Sequence, residues 1–226
     1  MGKKLLCSNL IIDSLKNYNV LELRVFYNLL YIYKCKNVFN EFADEMEKNE
    51  PFYIPKQEIT SLFTKNRLTF KSIVELIENM PNKVQFVDEN GRQVGFVGVF
   101  EYFIYDTEQE EFEICFTNTI IPFLEALSNF SNIDLMDISN LSKKYSIRLY
   151  ELCCRYMNQK YYSVKIDVFK KYFAVPESYK MCEIDRSILK SSIAEIEKKT
   201  NKRIKFEKIK KGKEVTHIKF TFTNLE

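Results

Sequence analysis

Histidine is almost missing from this chain: one residue, His217, in 226, and there is no tryptophan. A nickase that attacks DNA through a tyrosine needs a metal held by two or more histidines. The fourteen tyrosines are therefore read as core and surface aromatics, and His217 as a half-exposed strand residue that could at most touch a backbone phosphate. Glycine is scarce too. None of the five glycines belongs to a G-x-x-x-x-G-K-[ST] run, which excludes a P-loop. The stretch G-F-V-G-V-F (95–100) reads as a closely packed strand, because no helix follows it. Cys7, Cys35, Cys115, Cys153, Cys154 and Cys182 lack C-x-x-C spacing and sit in apolar segments, as reduced cytoplasmic thiols do. The carboxylates Glu110 and Glu111 fall in an expected turn with no metal-site partner. No catalytic residue, metal or cofactor is expected.

Long apolar runs are absent as well, so no membrane span is expected. The start M-G-K-K-L-L-C-S-N meets charge again at Asp13 and Lys16, unlike a signal peptide. The expected location is the cytoplasm. What the chain does have is 46% hydrophobic and 15% aromatic residues, a globular composition with enough length for one good core or two small ones.

Its net charge of +3 hides an asymmetry. Residues 1–140 carry 13 Lys/Arg against 21 Asp/Glu, a net of −8, which leaves +11 for residues 141–226. A difference of that size predicts two domains, 1–132 and 133–226, with only the second built to meet a polyanion.

Periodicity divides the chain in the same way. N-V-L-E-L-R-V-F-Y-N-L-L-Y-I-Y (19–33) has helical spacing with Asn19 as N-cap. An acidic loop is expected at 41–50, then a short helix (54–63) and a longer one (67–80) stopped by Pro81. Strands follow at 83–87, 93–105 and 111–116, joined by D-E-N-G and T-E-Q-E turns, with a helix near 120–129. The order then repeats: a helix at 145–158 starting near Ser142 or Ser146, a short helix at 165–173, a longer one at about 184–200 and a hairpin at 203–223. Helix, short helix, longer helix, hairpin is the winged helix-turn-helix order. The predicted fold class is α+β, two tandem winged helices.

The third helix of each unit is the one a winged helix presents to DNA. In the second unit Ile184, Ile188, Leu189, Ile193 and Ile196 are expected to be buried, and Ser187, Lys190, Ser191, Ala194 and Lys198 to face out. Short side chains let the backbone approach the major groove, and serine can bond bases or phosphates. Glu195 and Glu197 are placed at the flanks, Glu195 within reach of Lys199. The hairpin tip K-K-G-K adds Lys210, Lys211 and Lys213. Lys143, Lys144, Ser146, Arg148, Arg186, Lys202 and Arg203 complete the expected DNA-contacting set of this unit. In the first unit the outward face shows Lys71, Ser72, Glu75, Glu78 and Asn79, and carboxylates aimed at phosphates are unfavourable. Only Lys65, Arg67 and Lys71, at one end of that helix, are expected to touch DNA.

The blocks L-S-K-K-Y-S-I-R-L-Y-E-L (141–152), S-I-L-K-S-S-I-A-E-I-E-K-K-T-N (187–201) and I-K-K-G-K-E-V-T-H-I-K-F (209–220) resemble the second winged helix of iteron-binding plasmid replication initiators. F-T-N-T-I-I-P-F-L-E-A-L (116–127), N-L-I-I-D-S-L (9–15) and L-E-L-R (21–24) are similar to that family's first domain. The resemblance implies a protein that binds repeated origin sequences in double-stranded DNA. It also implies a monomer that initiates replication with a host initiator or helicase, and a homodimer, formed through the first domain, that represses. Two positions depart from the family pattern: Glu197 stands in place of an asparagine, and Lys213 in place of a common arginine, which keeps charge but not the bidentate fork. A winged-helix transcriptional repressor without a replication role is the alternative.

Overall fold

A computed structural model describes residues 3–37, 50–63, 68–87, 93–125 and 130–225. The expected D-E-N-G turn, and the acidic loop apart from Glu50, lie outside the described residues, as do Lys65 and Arg67.

The chain opens with β1 (Lys4–Ser8) and α1 (Asn9–Ser14), neither of which the periodicity signalled. The helical pattern beyond Asn19 becomes α2 (Val20–Asn37). The Asn19 side chain accepts from the N–H of Leu21 (2.9 Å) and Glu22 (3.0 Å), and Glu22 accepts from the Asn19 N–H (2.6 Å). That reciprocal pair is a capping box and satisfies donors the helix end would leave orphaned. β2 (Phe52–Pro55), α3 (Lys56–Ser61) and α4 (Phe70–Glu78) follow, the last capped by Thr69, whose hydroxyl accepts from the Ser72 N–H. β3 (Lys83–Val87) and β4 (Gln93–Gly98) form a hairpin, then β5 (Phe100–Asp106) and β6 (Glu111–Phe116) join β2 in a three-stranded sheet of order β2-β6-β5.

The single strand expected at 93–105 is therefore two. Asn82 breaks it: its Oδ1 accepts from the N–H of Val99 (3.2 Å) and Phe100 (2.6 Å), and its Nδ2 donates to the Phe100 carbonyl (2.9 Å). A side chain that takes up both backbone donors at the break removes them from a continuous ladder. The T-E-Q-E turn forms as expected, with Asp106 accepting from the N–H of Glu108 and Gln109.

Of the helix expected at 120–129, α5 covers Ile121–Glu125, and 126–129 lie outside the described residues. β7 (Phe130–Asp134) pairs antiparallel with β1, so the expected boundary at 132/133 falls within a strand that ties residue 4 to residue 134. After α6 (Leu135–Asn140) comes the second unit: α7 (Lys144–Tyr156), β8 (Tyr161–Lys165), α8 (Ile166–Tyr172), a helical run from Met181 to Lys199, β9 (Lys202–Lys211) and β10 (Glu214–Asn224). Its sheet has the order β8-β10-β9, so first strand, last strand and middle strand are arranged as in the first unit. Inward residues Ile204, Ile218, Phe220 and Phe222 are buried and alternate with exposed polar ones, the pattern of a sheet with one packed face.

The units meet along α7. Arg148 is completely buried; its Nη1 donates to the Ile12 carbonyl (2.6 Å) and to Glu151 Oε2 (2.6 Å), and its guanidinium lies over the Tyr172 ring (4.4 Å). Glu151 in turn accepts from the Tyr27 hydroxyl (2.6 Å). Arg155 pairs with Asp13 (2.7 Å), and Arg24 donates to the Leu141 carbonyl (2.7 Å). Two expected DNA contacts are corrected here. Arg148 is turned inward because Glu151 and a carbonyl of the first unit bind its charge, and Ser146, two residues earlier in the same helix, is fully buried as well. Neither reaches a surface. Burial alone would pull the Arg148 guanidinium down, and the adjacent Glu151 carboxylate more than offsets that and keeps it charged.

Candidate nucleic-acid interface

The helix expected at 184–200 begins three residues earlier and is not regular. It runs through α9 (Met181–Glu183), a π-helical stretch (Ile184–Lys190) and α10 (Ser191–Lys199). The Lys180 N–H is bound by Glu183 Oε2 (2.7 Å) at its start. Ile184, Ile188, Leu189 and Ile196 are buried as expected, whereas Ile193 is only half-buried. On the outward side Lys190, Ala194 and Lys198 are exposed, Ser187 and Ser191 lie at the flank, and Arg186 joins the exposed line. A π turn takes up an extra residue, so positions before Lys190 are rotated relative to a 3.6-residue projection.

One end of this helix is anchored to the segment that leads into α7. Glu195 accepts from the Ser142 N–H (2.9 Å), the Ser142 hydroxyl (2.6 Å) and Lys199 Nζ (2.6 Å). Burial would raise the Glu195 carboxyl, but the hydrogen bonds from Lys199 and Ser142 outweigh it and hold the group at about 2. Lys143 Nζ donates to Ser191 Oγ (2.7 Å), which brings an expected phosphate contact against the Met181–Lys199 helix itself. The i, i+4 pair with Lys199 was legible in the sequence. The bond to Ser142, 53 positions away, had no local signal, and Glu195 is an organiser of the site rather than a flank residue.

The hairpin completes the surface. Lys210, Lys211 and Lys213 are all exposed at the tip, where Gly212 adopts φ 63°, a conformation glycine takes without a Cβ penalty. A bulge between Val215 and His217 re-aims the tip relative to the sheet. His217 is half-buried and lies within 3.1 Å of the Thr216 hydroxyl. At the root, Lys202 Nζ donates to Asn224 Oδ1 (2.8 Å) and Arg203 Nε lies 3.9 Å from Glu197. Lys208 pairs with Asp185 and fastens the hairpin to the π-helical stretch. Lys144 is half-buried, and burial lowers its pKa.

The first unit differs. Along α4, Lys71, Glu75, Glu78 and Asn79 are exposed and Ile73, Ile77 and Met80 are buried, as expected. Lys71 lies 3.9 Å from Glu75, so its charge is partly matched within its own helix. Among the described residues, no group of three or more His, Cys, Asp or Glu could hold a metal ion, and no helix is long and apolar enough to cross a membrane.

Comparison with known proteins identifies both halves. The sequence model described as "Initiator Replication protein, WH1" matches residues 7–154, and that described as "Initiator Rep protein, WH2" matches residues 165–222. Among solved structures the chain is similar to one titled "Crystal structure of Pi initiator protein in complex with iteron DNA". The TM-score is 0.72 at 21% identity, over 100% of this chain and 98% of that one.

Proposed function

The chain belongs to the initiator replication protein family, built as two tandem winged helices, and we propose from that premise that it is a plasmid replication initiator that binds direct-repeat iterons in double-stranded DNA. The observation that carries this reading is the exposed line Arg186, Lys190, Ala194 and Lys198 beside the lysine tip Lys210, Lys211 and Lys213. The helix lies in the major groove, where the small Ala194 permits close approach and the flanking cations meet bases or phosphates. The tip lysines add affinity without sequence preference, because ammonium groups meet phosphates as point charges. The related structure, titled as a complex of an initiator with iteron DNA, is consistent with this use of the fold.

The role is binding, with no catalytic step and no cofactor. Residues 1–132 act in homodimer formation and in auxiliary phosphate contacts from Lys65, Arg67 and Lys71. Residues 133–226 hold the main DNA-binding surface, and the bound initiator recruits a host initiator or helicase in the cytoplasm.

A titration at one fixed salt concentration tests this. The full chain should bind a duplex of the direct repeats of about 20 base pairs beside its coding region at least about 10³-fold more tightly than a random duplex. Equal affinity for both would sink the reading. Preference for a single inverted repeat over direct repeats would favour a repressor instead.

A further inference from the structure

A cavity of about 420 Å³ opens between the β1–β7 ribbon and the second unit. Its lining includes no residue of the Met181–Lys199 helix or of the lysine tip. The ribbon buries Leu5, Cys7, Ser131 and Ile133 on one face, so alternation turns Lys4, Phe130 and Asn132 to the other, which forms one wall. The opposite wall is made by Tyr150 and Arg155 of α7, Asn158 beyond its end, and Asn201 and Lys202 at the root of β9.

The walls are fixed, but the groups that line them are not used up. The Tyr150 hydroxyl donates to Asp137 (2.7 Å) and accepts from the Asp134 N–H (3.3 Å), while the Asn201 carbonyl accepts from the Leu225 N–H (2.7 Å). By contrast, the side chains of Asn132, Asn158 and Asn201 make no hydrogen bond among the described residues. The Phe130 ring is 45% exposed and meets no other ring among them. Arg155 Nε is buried without a partner among them.

This lining narrows the ligand. A carboxamide sets a donor beside an acceptor, the pattern of a nucleobase edge. An open aromatic ring stacks on any base. Lys4 and Lys202 can meet a phosphate as point charges. The Asp134 and Asp137 carboxylates would repel a bare anion, yet they can accept from sugar hydroxyls or a base amine. An apolar ligand would leave all these groups unpaired. The volume lies within the range of roughly 300–1,000 Å³ usual for small-molecule sites.

We infer that this cavity is a binding site for a free nucleoside phosphate. Phe130 stacks on the base, the three carboxamides bond its edge and the sugar, and Lys4 and Lys202 meet the phosphate. The ligand binds the folded arrangement of the two walls and so stabilises it.

The test is a calorimetric titration of the full-length protein with ribonucleoside 5′-monophosphates, with inorganic phosphate, and with an oligonucleotide ending in the same 5′-nucleotide. No duplex is present, so its outcome is independent of the DNA-binding reading. At least one free nucleotide should bind saturably and raise the melting temperature with concentration. Phe130→Ala and Asn132→Leu should melt like the wild type without ligand, since both positions are exposed, and should weaken nucleotide binding about ten-fold or more. Replacing Lys210, Lys211 and Lys213 with alanine should leave it unchanged. Four results would overturn the site: no saturable nucleotide binding, phosphate binding as tightly as the nucleotide, full binding by Phe130→Ala and Asn132→Leu, or tighter binding of the oligonucleotide than of the free nucleotide.

Discussion

The two winged helices share a topology and differ in what they display. Each has a first helix, a short strand, a short helix, a longer helix and a hairpin, and the sheets β2-β6-β5 and β8-β10-β9 are ordered alike. Each third helix buries an isoleucine-rich face. The outward faces diverge: Lys71, Glu75, Glu78 and Asn79 on α4, and Arg186, Lys190, Ala194 and Lys198 on the second. The same kind of apolar spacing underlies both scaffolds, because burial supplies the dominant favourable part of the folding free energy. Exposed positions contribute little to it, which leaves them free to carry a net of −8 in one half of the chain and +11 in the other. In the second unit not every cation is aimed at a ligand, since Lys143, just before α7, is exposed while Arg148 within α7 turns into the junction with the first unit.

That contrast between two cations five residues apart carries the largest expected effect. Arg148→Ala leaves Glu151 buried without its partner and should cost about 3–5 kcal/mol of stability, read from denaturant unfolding. Lys143→Ala should cost less than about 1 kcal/mol in the same measurement. Comparable costs would mean that Arg148 is not the tie between the units.

Next in size is Ala194→Glu. Alanine and glutamate differ by less than about 0.7 kcal/mol in helix propensity, so melting should hardly change. Binding to the specific site should weaken by about 2 kcal/mol or more, the scale of a mismatched base pair. Full-strength binding with normal melting would show that the helix does not lie in the groove as proposed.

Glu195 should make stability depend on pH in a definite direction. Its folded pKa, about 2, lies below the ordinary 4.5, so its contribution is present above about pH 4.5 and is lost as pH falls toward 2. Glu195→Gln should lower stability at neutral pH by roughly 1–3 kcal/mol. The gap between variant and wild type should close across that acid window. A gap that stayed constant from pH 7 to 2 would remove the ion pair with Lys199 as its cause.

The smallest effects separate the two units by salt. Replacing Lys210, Lys211 and Lys213 together with alanine should reduce the slope of log K against log salt by about 2–3 units, for specific and random duplexes alike. Lys71→Ala, with Glu75 nearby, should change it by less than about one unit. A larger slope change from Lys71 than from the tip would reverse the division of labour between the units.

Much of the scaffold was legible in the chain. Asn19 signalled the start of α2, the spacing of Ile184, Ile188, Leu189 and Ile196 signalled the buried face of the Met181–Lys199 helix, and K-K-G-K signalled a hairpin tip, where Gly212 adopts φ 63°. These signals are local, set by dihedral preference and by period. The strand β1 was not legible, since its partner β7 is about 126 residues away in sequence and five residues of a two-stranded ribbon hold little pattern. The break at Val99 depended on the side chain of Asn82, and the π-helical stretch on how the helix packs, so a 3.6-residue projection placed Ser187 where Arg186 now stands.

What the sequence by itself determined is the class of fold, the repeat of the winged-helix order and the sign of charge each unit displays, because periodicity and composition act residue by residue. Tertiary structure alone decided which basic groups remain available. Arg148 and Arg186 are chemically identical side chains on neighbouring helices. One is claimed by Glu151 and the Ile12 carbonyl across the junction, and the other is exposed and makes no hydrogen bond or ion pair among the described residues. A charge is spent or free according to what packs against it, and that depends on contacts between residues far apart in the chain.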